Sequence, residues 1–412
     1  MRTRVVITGM GTINACGLNV EDTWKSVLAG VSGVGPITHF DASDLQVQIA
    51  CEVKNFDFKD HFDKRQLRRT DHFQLFAMIA AEEAVRQAGL DWDDLDRTRA
   101  GVVVASGVGG LDTILESVST LVLQGPRRLN PFTIPMIMAN GAASLIAIEY
   151  GTQGPCFSVT SACASGVDAL GQAALLIRAG VIDMAIAGAS ESTINLMGIS
   201  TFDRMGALAR RRDSYENTPA PFDLNRDGFV MGEGAAILVL ESLESAQARG
   251  ANILAELAGH AASADANHIT APLEDGGGAA LAINAALSDA GLNPEDVDYI
   301  NAHGTGTALN DVAETRAIRS VFGKHADAIP VSSTKSMTGH MMGATGALEA
   351  IFCVLAIQQG VIPPTVNLRT PDPACDLDYV PLQARDHPVH VALSNALGFG
   401  GHNAALALKA FS

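Results

Sequence analysis

Two stretches far apart in the chain carry the same succession of signals. Ala88-Gly89-Leu90-Asp91-Trp92-Asp93-Asp94-Leu95-Asp96 precedes the apolar Val102-Val103-Val104, and Ala290-Gly291-Leu292-Asn293-Pro294-Glu295-Asp296-Val297-Asp298 precedes Tyr299-Ile300. Each reads as a helix closed by a glycine cap, an acidic turn and then a strand. Common αβ-loop chemistry can write that pattern twice by coincidence. Duplication of one βα unit is the favoured reading, because repeats signal architecture strongly. Strands and helices alternate throughout, so the class is α/β. The second copy is expected to begin near Gly250-Ala251, after the apolar strand Ala235–Leu240 and a short helix around Leu243–Ala248. That gives a half at 1–250 and a half at 251–412. No low-complexity linker separates them, so they are expected to share one core.

The composition narrows the class further. Of 412 residues, 47% are hydrophobic and only 18% charged, enough for a large core and against disorder. The formal net charge of −17 repels phosphates and argues against a nucleic-acid or membrane-surface role. Cysteines stand at Cys16, Cys51, Cys156, Cys163, Cys353 and Cys375, with no C-x-x-C pair to suggest a zinc cage or redox motif. The first residues break their apolar run at once and lack the core of a signal peptide. No apolar stretch reads as long and unbroken enough to span a membrane. A reduced, cytoplasmic enzyme is the expectation.

Cys163 lies in Ser158-Val159-Thr160-Ser161-Ala162-Cys163-Ala164-Ser165-Gly166, a run of small residues. A short β-favouring piece, Cys156–Val159, precedes it. A helical stripe of Val167, Leu170, Ala174 and Ile177 follows, from about Ala164 to Ala179. The thiol therefore stands at a helix start, where free N–H groups and the helix dipole favour a thiolate. Taken alone, a buried inert cysteine is the commoner case. Two other loops change that weighing. Asn301-Ala302-His303-Gly304-Thr305-Gly306-Thr307 follows a strand, and so does Ser332-Ser333-Thr334-Lys335-Ser336-Met337-Thr338-Gly339-His340. In open α/β sheets, sites gather beyond the carboxyl ends of strands. A cysteine, two histidines and a lysine suit acyl transfer with proton management. Gly9-Met10-Gly11 has Asn14 where a dinucleotide fingerprint needs its third glycine, so a tight turn explains those glycines.

These motifs, with Gly398-Phe399-Gly400-Gly401 near the end, resemble those of the β-ketoacyl-acyl-carrier-protein synthases, over essentially the whole length. The resemblance implies a thiolase-like fold, with duplicated βα halves in a five-layered αβαβα arrangement, and a homodimer. It implies decarboxylative condensation of malonyl-carrier protein with a Cys163-bound acyl chain in type II fatty-acid biosynthesis. His303 and His340 would serve the condensation, Lys335 would support them, and the N–H groups of Cys163 and Phe399 would form an oxyanion hole. The Phe399 side chain would gate the thiol. Thr305 and Thr307 would bind the phosphopantetheine arm, and Thr270 its phosphate end. Val108, Ile134, Phe202, Leu196 and Met197 would line the acyl pocket, although ordinary core is a strong reading for each one singly. Val108 stands where a larger aliphatic residue is common in the family. No cofactor is required, but Asn301, Glu349, Ser394 and Asn395 could surround a monovalent cation or a water. Lys335 could equally pair with Glu349.

Two basic clusters, Lys64-Arg65-Gln66-Leu67-Arg68-Arg69 and Arg127-Arg128, stand out against the acidic background. They are read as a dock for an acidic carrier protein rather than as plain solvated charge. Arg210-Arg211-Arg212 either adds to this dock or only flanks a loop. His402-Asn403 replaces the family's usual threonine-asparagine. The alternatives are a ketosynthase of a polyketide or other specialised pathway and, lower, a non-catalytic chain-length subunit, which typically lacks the nucleophile. A coenzyme-A thiolase would carry a second catalytic cysteine near the C-terminus, and Gly398–Asn403 has none.

Overall fold

The computed structural model describes residues 2–211 and 214–412. Ten strands form its main sheet system: β1 (Val5–Asn14), β2 (Ala100–Ala105), β3 (Cys156–Phe157), β4 (Met184–Glu191), β5 (Gly234–Ser242), β6 (Ala255–Ala264), β7 (Tyr299–Asn301), β8 (Val331–Ser332), β9 (Val391–Gly398) and β10 (His402–Lys409). Their spatial order is β8-β7-β9-β10-β6-β1-β5-β4-β2-β3. Outward from the centre, the first half runs 1-5-4-2-3 and the second 6-10-9-7-8, the same order shifted by five. Pairing repeats as well. β2 is parallel to β3 and β4, while β4–β5 and β5–β1 are antiparallel. β7 is parallel to β8 and β9, while β9–β10 and β10–β6 are antiparallel. The halves meet where Val6 and Ile7 of β1 pair with Glu256 and Ala255 of β6.

Side chains on a strand alternate between faces, and here both faces are buried, as in sheets covered by helices on both sides. Val103, Ala187, Leu238 and Leu240 point to the middle, as do Ala396, Leu406 and Leu408. There they pack on two helices, α3 (Ser165–Arg178) and α6 (Thr345–Gln359). Val102, Val104, Ile186, Ile237 and Val239 point outward onto α1 (His72–Ala88) and α2 (Gly141–Tyr150). Ile300, Leu393, Ala405 and Ala407 point the other way, onto α4 (Gly277–Ala290) and α5 (Ala308–Phe322). The result is the expected αβαβα stack of duplicated halves. Gly89 and Gly291 cap α1 and α4 in left-handed conformation, φ 63° and 66°, as the repeated signal predicts.

One expectation about hydropathy needs correction. Met342–Gln359 is long and apolar enough to cross a membrane by composition, with mean hydropathy 1.3, yet 83% of it is buried inside the protein. It belongs to one of the two helices at the middle of a layered core. Its buried face goes all the way round because a sheet covers each side.

The two central helices approach very closely where they begin. A Cβ on Gly166 would stand 2.8 Å from Ala347 N and from Gly343 O, and one on Gly346 would stand 2.6 Å from Val167 Cγ2. Only glycine allows that approach. The residues just ahead of these helices, Cys163 and His340, are thereby brought together.

Candidate active site

A single 3-10 turn, Ala162–Ala164, joins the strand region to α3. Ala162 takes φ 50°, in the left-handed region, and Cys163 lines a cavity. Cys163 Sγ lies 3.1 Å from His340 Nε2, and His340 Nδ1 lies 3.0 Å from Thr345 Oγ1. The His303 ring meets the His340 ring edge to face, with centroids 5.3 Å apart at 83°. Sγ and one nitrogen from each ring all lie within 4.8 Å of one another. Glu314 fixes the His303 loop by accepting the N–H of His303 at 2.7 Å and of Gly304 at 2.8 Å. Lys335 is wholly buried, and its Nζ donates to Glu349 Oε1 at 2.6 Å. The N–H groups of Cys163 and Phe399 both point at the sulfur. A Cβ on Gly398 would sit 3.0 Å from Cys163 N, so glycine is what lets Phe399 come so near.

Burial dominates the electrostatics. It pushes the Cys163 thiol up to about 11, and Lys335 and the two N–H groups offset this only in part. The helix start therefore does not yield a resting thiolate, contrary to the sequence expectation, because lost solvation outweighs the dipole. Burial also holds His303 and His340 well below the ordinary imidazole value, and Lys335 adds to the effect. Both rings are neutral at pH 7 and each can donate one N–H. Burial raises Glu314 and Glu349 to about 7, against the pull of their N–H and lysine partners.

The chain matches the family described as Beta-ketoacyl synthase, N-terminal domain, over residues 2–246, and Beta-ketoacyl synthase, C-terminal domain, over residues 254–369. It belongs to the beta-ketoacyl synthase family. It is 48% identical over 408 residues to 3-oxoacyl-[acyl-carrier-protein] synthase 2 of Staphylococcus aureus, covering 99% of this chain and 98% of that protein. Among solved structures, the ishigamide ketosynthase/chain length factor superposes with TM-score 0.94 at 40% identity, covering both chains fully. A type II PKS acyl-carrier protein in complex with its ketosynthase bound to the hexaketide (AntDE:AntF) gives TM-score 0.93 at 35% identity, again covering both chains fully.

In this beta-ketoacyl synthase, Cys163, His303 and His340 open into one cavity of about 480 Å³, a size suited to a small-molecule arm. Thr270, Thr305, Thr307, Phe202 and Phe399 line the same cavity. Thr305 and Thr307 share a hydrogen bond of 2.9 Å between hydroxyls, and Phe399 stacks on Phe202 at 6.2 Å. Val108 and Ile134 do not line it and are 43% and 62% exposed. Leu196 and Met197 are likewise exposed. These side chains face solvent in the single chain, which the hydrophobic pattern alone cannot reveal.

The basic clusters converge. Asn130, next to Arg127-Arg128, donates to Arg68 O at 2.9 Å, and Arg69 lies 4.3 Å over the Phe132 ring. Among the described residues, no carboxylate pairs with Lys64, Arg65, Arg68, Arg69, Arg127 or Arg128. By contrast, Arg210 pairs with Asp203 at 2.7 Å and Arg211 with Asp227 at 3.3 Å, which favours the loop-flanking role. Arg212 lies outside the described residues. His402 pairs with Gly398 across the β9–β10 turn, and its ring packs beside Gly400.

Asn301, Ser394, Asn395 and Glu349 are all buried, and Asn301 and Ser394 are paired on β7 and β9. Among the described residues, both side-chain atoms of Asn301, Ser394 Oγ, Asn395 Oδ1 and Glu349 Oε2 have no hydrogen-bond partner. The orphaned oxygens fit a hard monovalent cation or a water, and the Asn301 amide N–H groups fit a water.

Glu314 escaped the sequence reading. Its signal is there: Asp311, Glu314 and Thr315 form a polar i, i+3, i+4 stripe on the same buried side of α5 as Ile318. Phe229, whose ring lies 5.2 Å from His340, carried no signal of its own.

Proposed function

We propose that this chain condenses malonyl-acyl-carrier protein with an acyl group held on Cys163, giving a 3-oxoacyl-carrier protein two carbons longer in type II fatty-acid biosynthesis. One observation carries the reading: a thiol and two neutral imidazoles lie together in the lining of one cavity. The near-full-length identity to 3-oxoacyl-[acyl-carrier-protein] synthase 2 supports it.

In the first half-reaction the Cys163 sulfur attacks the acyl thioester. The departing pantetheine sulfur takes up the proton that the thiol loses. His340 Nε2 stands where it can relay that proton. The Thr345 hydroxyl can donate or accept, so it supports either His340 tautomer. The N–H groups of Cys163 and Phe399 hold the oxyanion. In the second half-reaction the malonyl C–COO⁻ bond breaks and carbon dioxide leaves. His303 and His340 donate N–H bonds to the enolate oxygen, and the carbanion attacks the thioester. The Cys163 sulfur leaves and regains a proton from solvent. The Lys335 charge stabilises the anionic stages.

Phosphopantetheine arrives on the carrier protein, with Thr305 and Thr307 along the arm, Thr270 near its phosphate and Phe399 as gate. The acidic carrier docks on Lys64, Arg65, Arg68, Arg69, Arg127 and Arg128. Asn301, Glu349, Ser394 and Asn395 would hold a monovalent cation or water that satisfies their lone pairs, a structural role. A second copy of the chain covers the exposed apolar residues Val108, Val122, Leu123, Ile134 and Ile148, making a homodimer. The setting is the cytoplasm, in keeping with six free cysteines.

Incubation with acyl-carrier protein should add one acyl mass at Cys163, and malonyl-carrier protein should then release a chain longer by two carbons. Acylation elsewhere, or none, overturns the reading. Profiling of acyl lengths separates fatty-acid elongation from a specialised pathway with the same chemistry.

A further inference from the structure

Behind the nucleophile turn, and outside the cavity lining, lies a second cluster of polar side chains. Ser161, two residues before Cys163, donates its hydroxyl to Asp168 Oδ2 at 2.5 Å. Asp168 Oδ1 lies 3.1 Å from His260 Nε2. With the carboxylate ionised, that nitrogen carries the hydrogen. Asp168 belongs to the first turn of α3, in the first half, whereas His260 sits on β6, in the second. The contact is built in. A Cβ on Gly171 would come within 2.2 Å of the His260 ring, so the glycine makes the place where the imidazole lies against α3. The cluster is largely shielded: Ser161 is 9% exposed, and the His260 and Asp168 side chains 13% and 17%. His260 is anchored further by its N–H to Asp289 at 3.0 Å, and Asp289 is paired with Arg178 at 2.9 Å.

The order is serine, carboxylate, histidine, with the carboxylate between the other two. The histidine therefore cannot activate the serine, and the cluster is no second nucleophile. What it can do is mechanical. Ser165 Oγ accepts the Ser161 N–H at 2.9 Å and donates to Ala162 O at 2.6 Å, so the turn is tied locally to α3. The Ser161–Asp168–His260 chain ties it by side chains to the other half, which also supplies His303 and His340.

We propose that Asp168 and His260 brace the Ser161–Cys163 turn across the two halves, and that Ser161, Asp168 and His260 are positioning residues for acylation of Cys163. The proposal rests on reading Cys163 as the nucleophile. Loss of the brace leaves the cavity intact and misplaces the sulfur and the Cys163 N–H.

The test is single-turnover acylation of the full-length protein by acyl-carrier protein, followed by intact mass, with KM measured separately. Ser161→Ala and His260→Ala should each slow acylation about tenfold, the size expected for losing one bond to a charged group. KM for the carrier protein should not move. The double variant should be no slower than either single one, because both break the same chain. His260→Gln, whose amide N–H reaches toward Asp168, should recover most of the rate. Wild-type rates in both single variants, multiplying losses, or a Gln variant as slow as Ala would overturn the brace. Should His260→Ala fail to fold, the Ser161→Ala rate and the Gln variant decide alone: a slowed Ser161→Ala with near-normal Gln supports the brace, and any other pairing sinks it. Wild-type protein that takes no acyl group on Cys163 refutes the nucleophile assignment instead.

Discussion

Cys163 Sγ and His340 Nε2 stand 3.1 Å apart because each residue precedes a central helix and the two helices touch at Gly166 and Ala347. The site is a consequence of helix packing at the middle of the stack. Its burial sets the chemistry. A thiol pushed up to about 11 stays protonated at pH 7. Alkylation of Cys163 by iodoacetamide should therefore climb steadily from pH 7 to pH 10 without a plateau, followed by mass of the Cys163 peptide. The Lys335 charge pulls that value down, so Lys335→Ala should slow alkylation at pH 9. A plateau near neutrality would show a resting thiolate and contradict the burial argument.

Among the described residues no hydrogen bond joins the His303 ring to Cys163; the ring packs edge to face on His340 and is neutral. Its expected contribution is one hydrogen bond to the enolate. His303→Ala should acylate near the wild-type rate and lose condensation by roughly 100- to 1000-fold, the size of one oxyanion donor. The measurement is acyl-enzyme mass against released 3-oxo product. Equal loss in both steps would place His303 elsewhere in the cycle.

The Lys335–Glu349 pair is fully buried, so the two charges depend on each other. Removing either alone, as in Glu349→Ala, should destabilise by about 3–5 kcal/mol, since the survivor is left unpaired. Replacing both by apolar residues of like volume should cost much less stability and still abolish condensation. Denaturant unfolding and product assay together check this. A double variant that condenses normally would make the pair purely structural.

The fold was legible because its signals are local. The glycine caps at Gly89 and Gly291, the acidic turns and the strands after them depend on backbone chemistry within a few residues. The convergence of Cys163, His303, Lys335 and His340 was legible because all four sit in loops of small residues that follow strands. The placement of Val108 and Ile134 was not legible, because exposure depends on what a neighbouring surface covers. The thiol's charge state was not legible either. A helix start is visible in sequence, whereas the depth at which it is buried comes from α6 and the β9–β10 turn, far away in the chain. Glu314 was hidden for a similar reason: α5 folds it back under a loop that a one-dimensional reading treats as separate.

Gly166 tests the packing account directly. Gly166→Ala places a methyl 2.8 Å from the Ala347 backbone, which cannot yield as a flexible side chain would. The cost should be about 1–3 kcal/mol, typical of overpacking, read as a lower denaturation midpoint. The Cys163–His340 distance should open with it, so acylation should slow more than carrier-protein KM changes. An unchanged midpoint would mean that the central helices have slack.

The converged basic patch makes a prediction about salt as well as charge. Asn130 binds Arg68 O, so the 64–69 and 127–128 clusters present one surface, with no described carboxylate pairing with it. On a chain of net charge −17, that surface is where an acidic partner can be drawn in. Arg68→Glu with Arg127→Glu should raise KM for acyl-carrier protein at least about tenfold, as expected for like charges set against each other at an interface. The wild-type KM should rise with salt, and that salt dependence should shrink in the variant. Small pantetheine thioesters, which bypass the patch, should react at unchanged rates. Parallel loss with both substrates would trace the defect to the cavity instead, because only a docking surface can distinguish the carrier from the arm it carries.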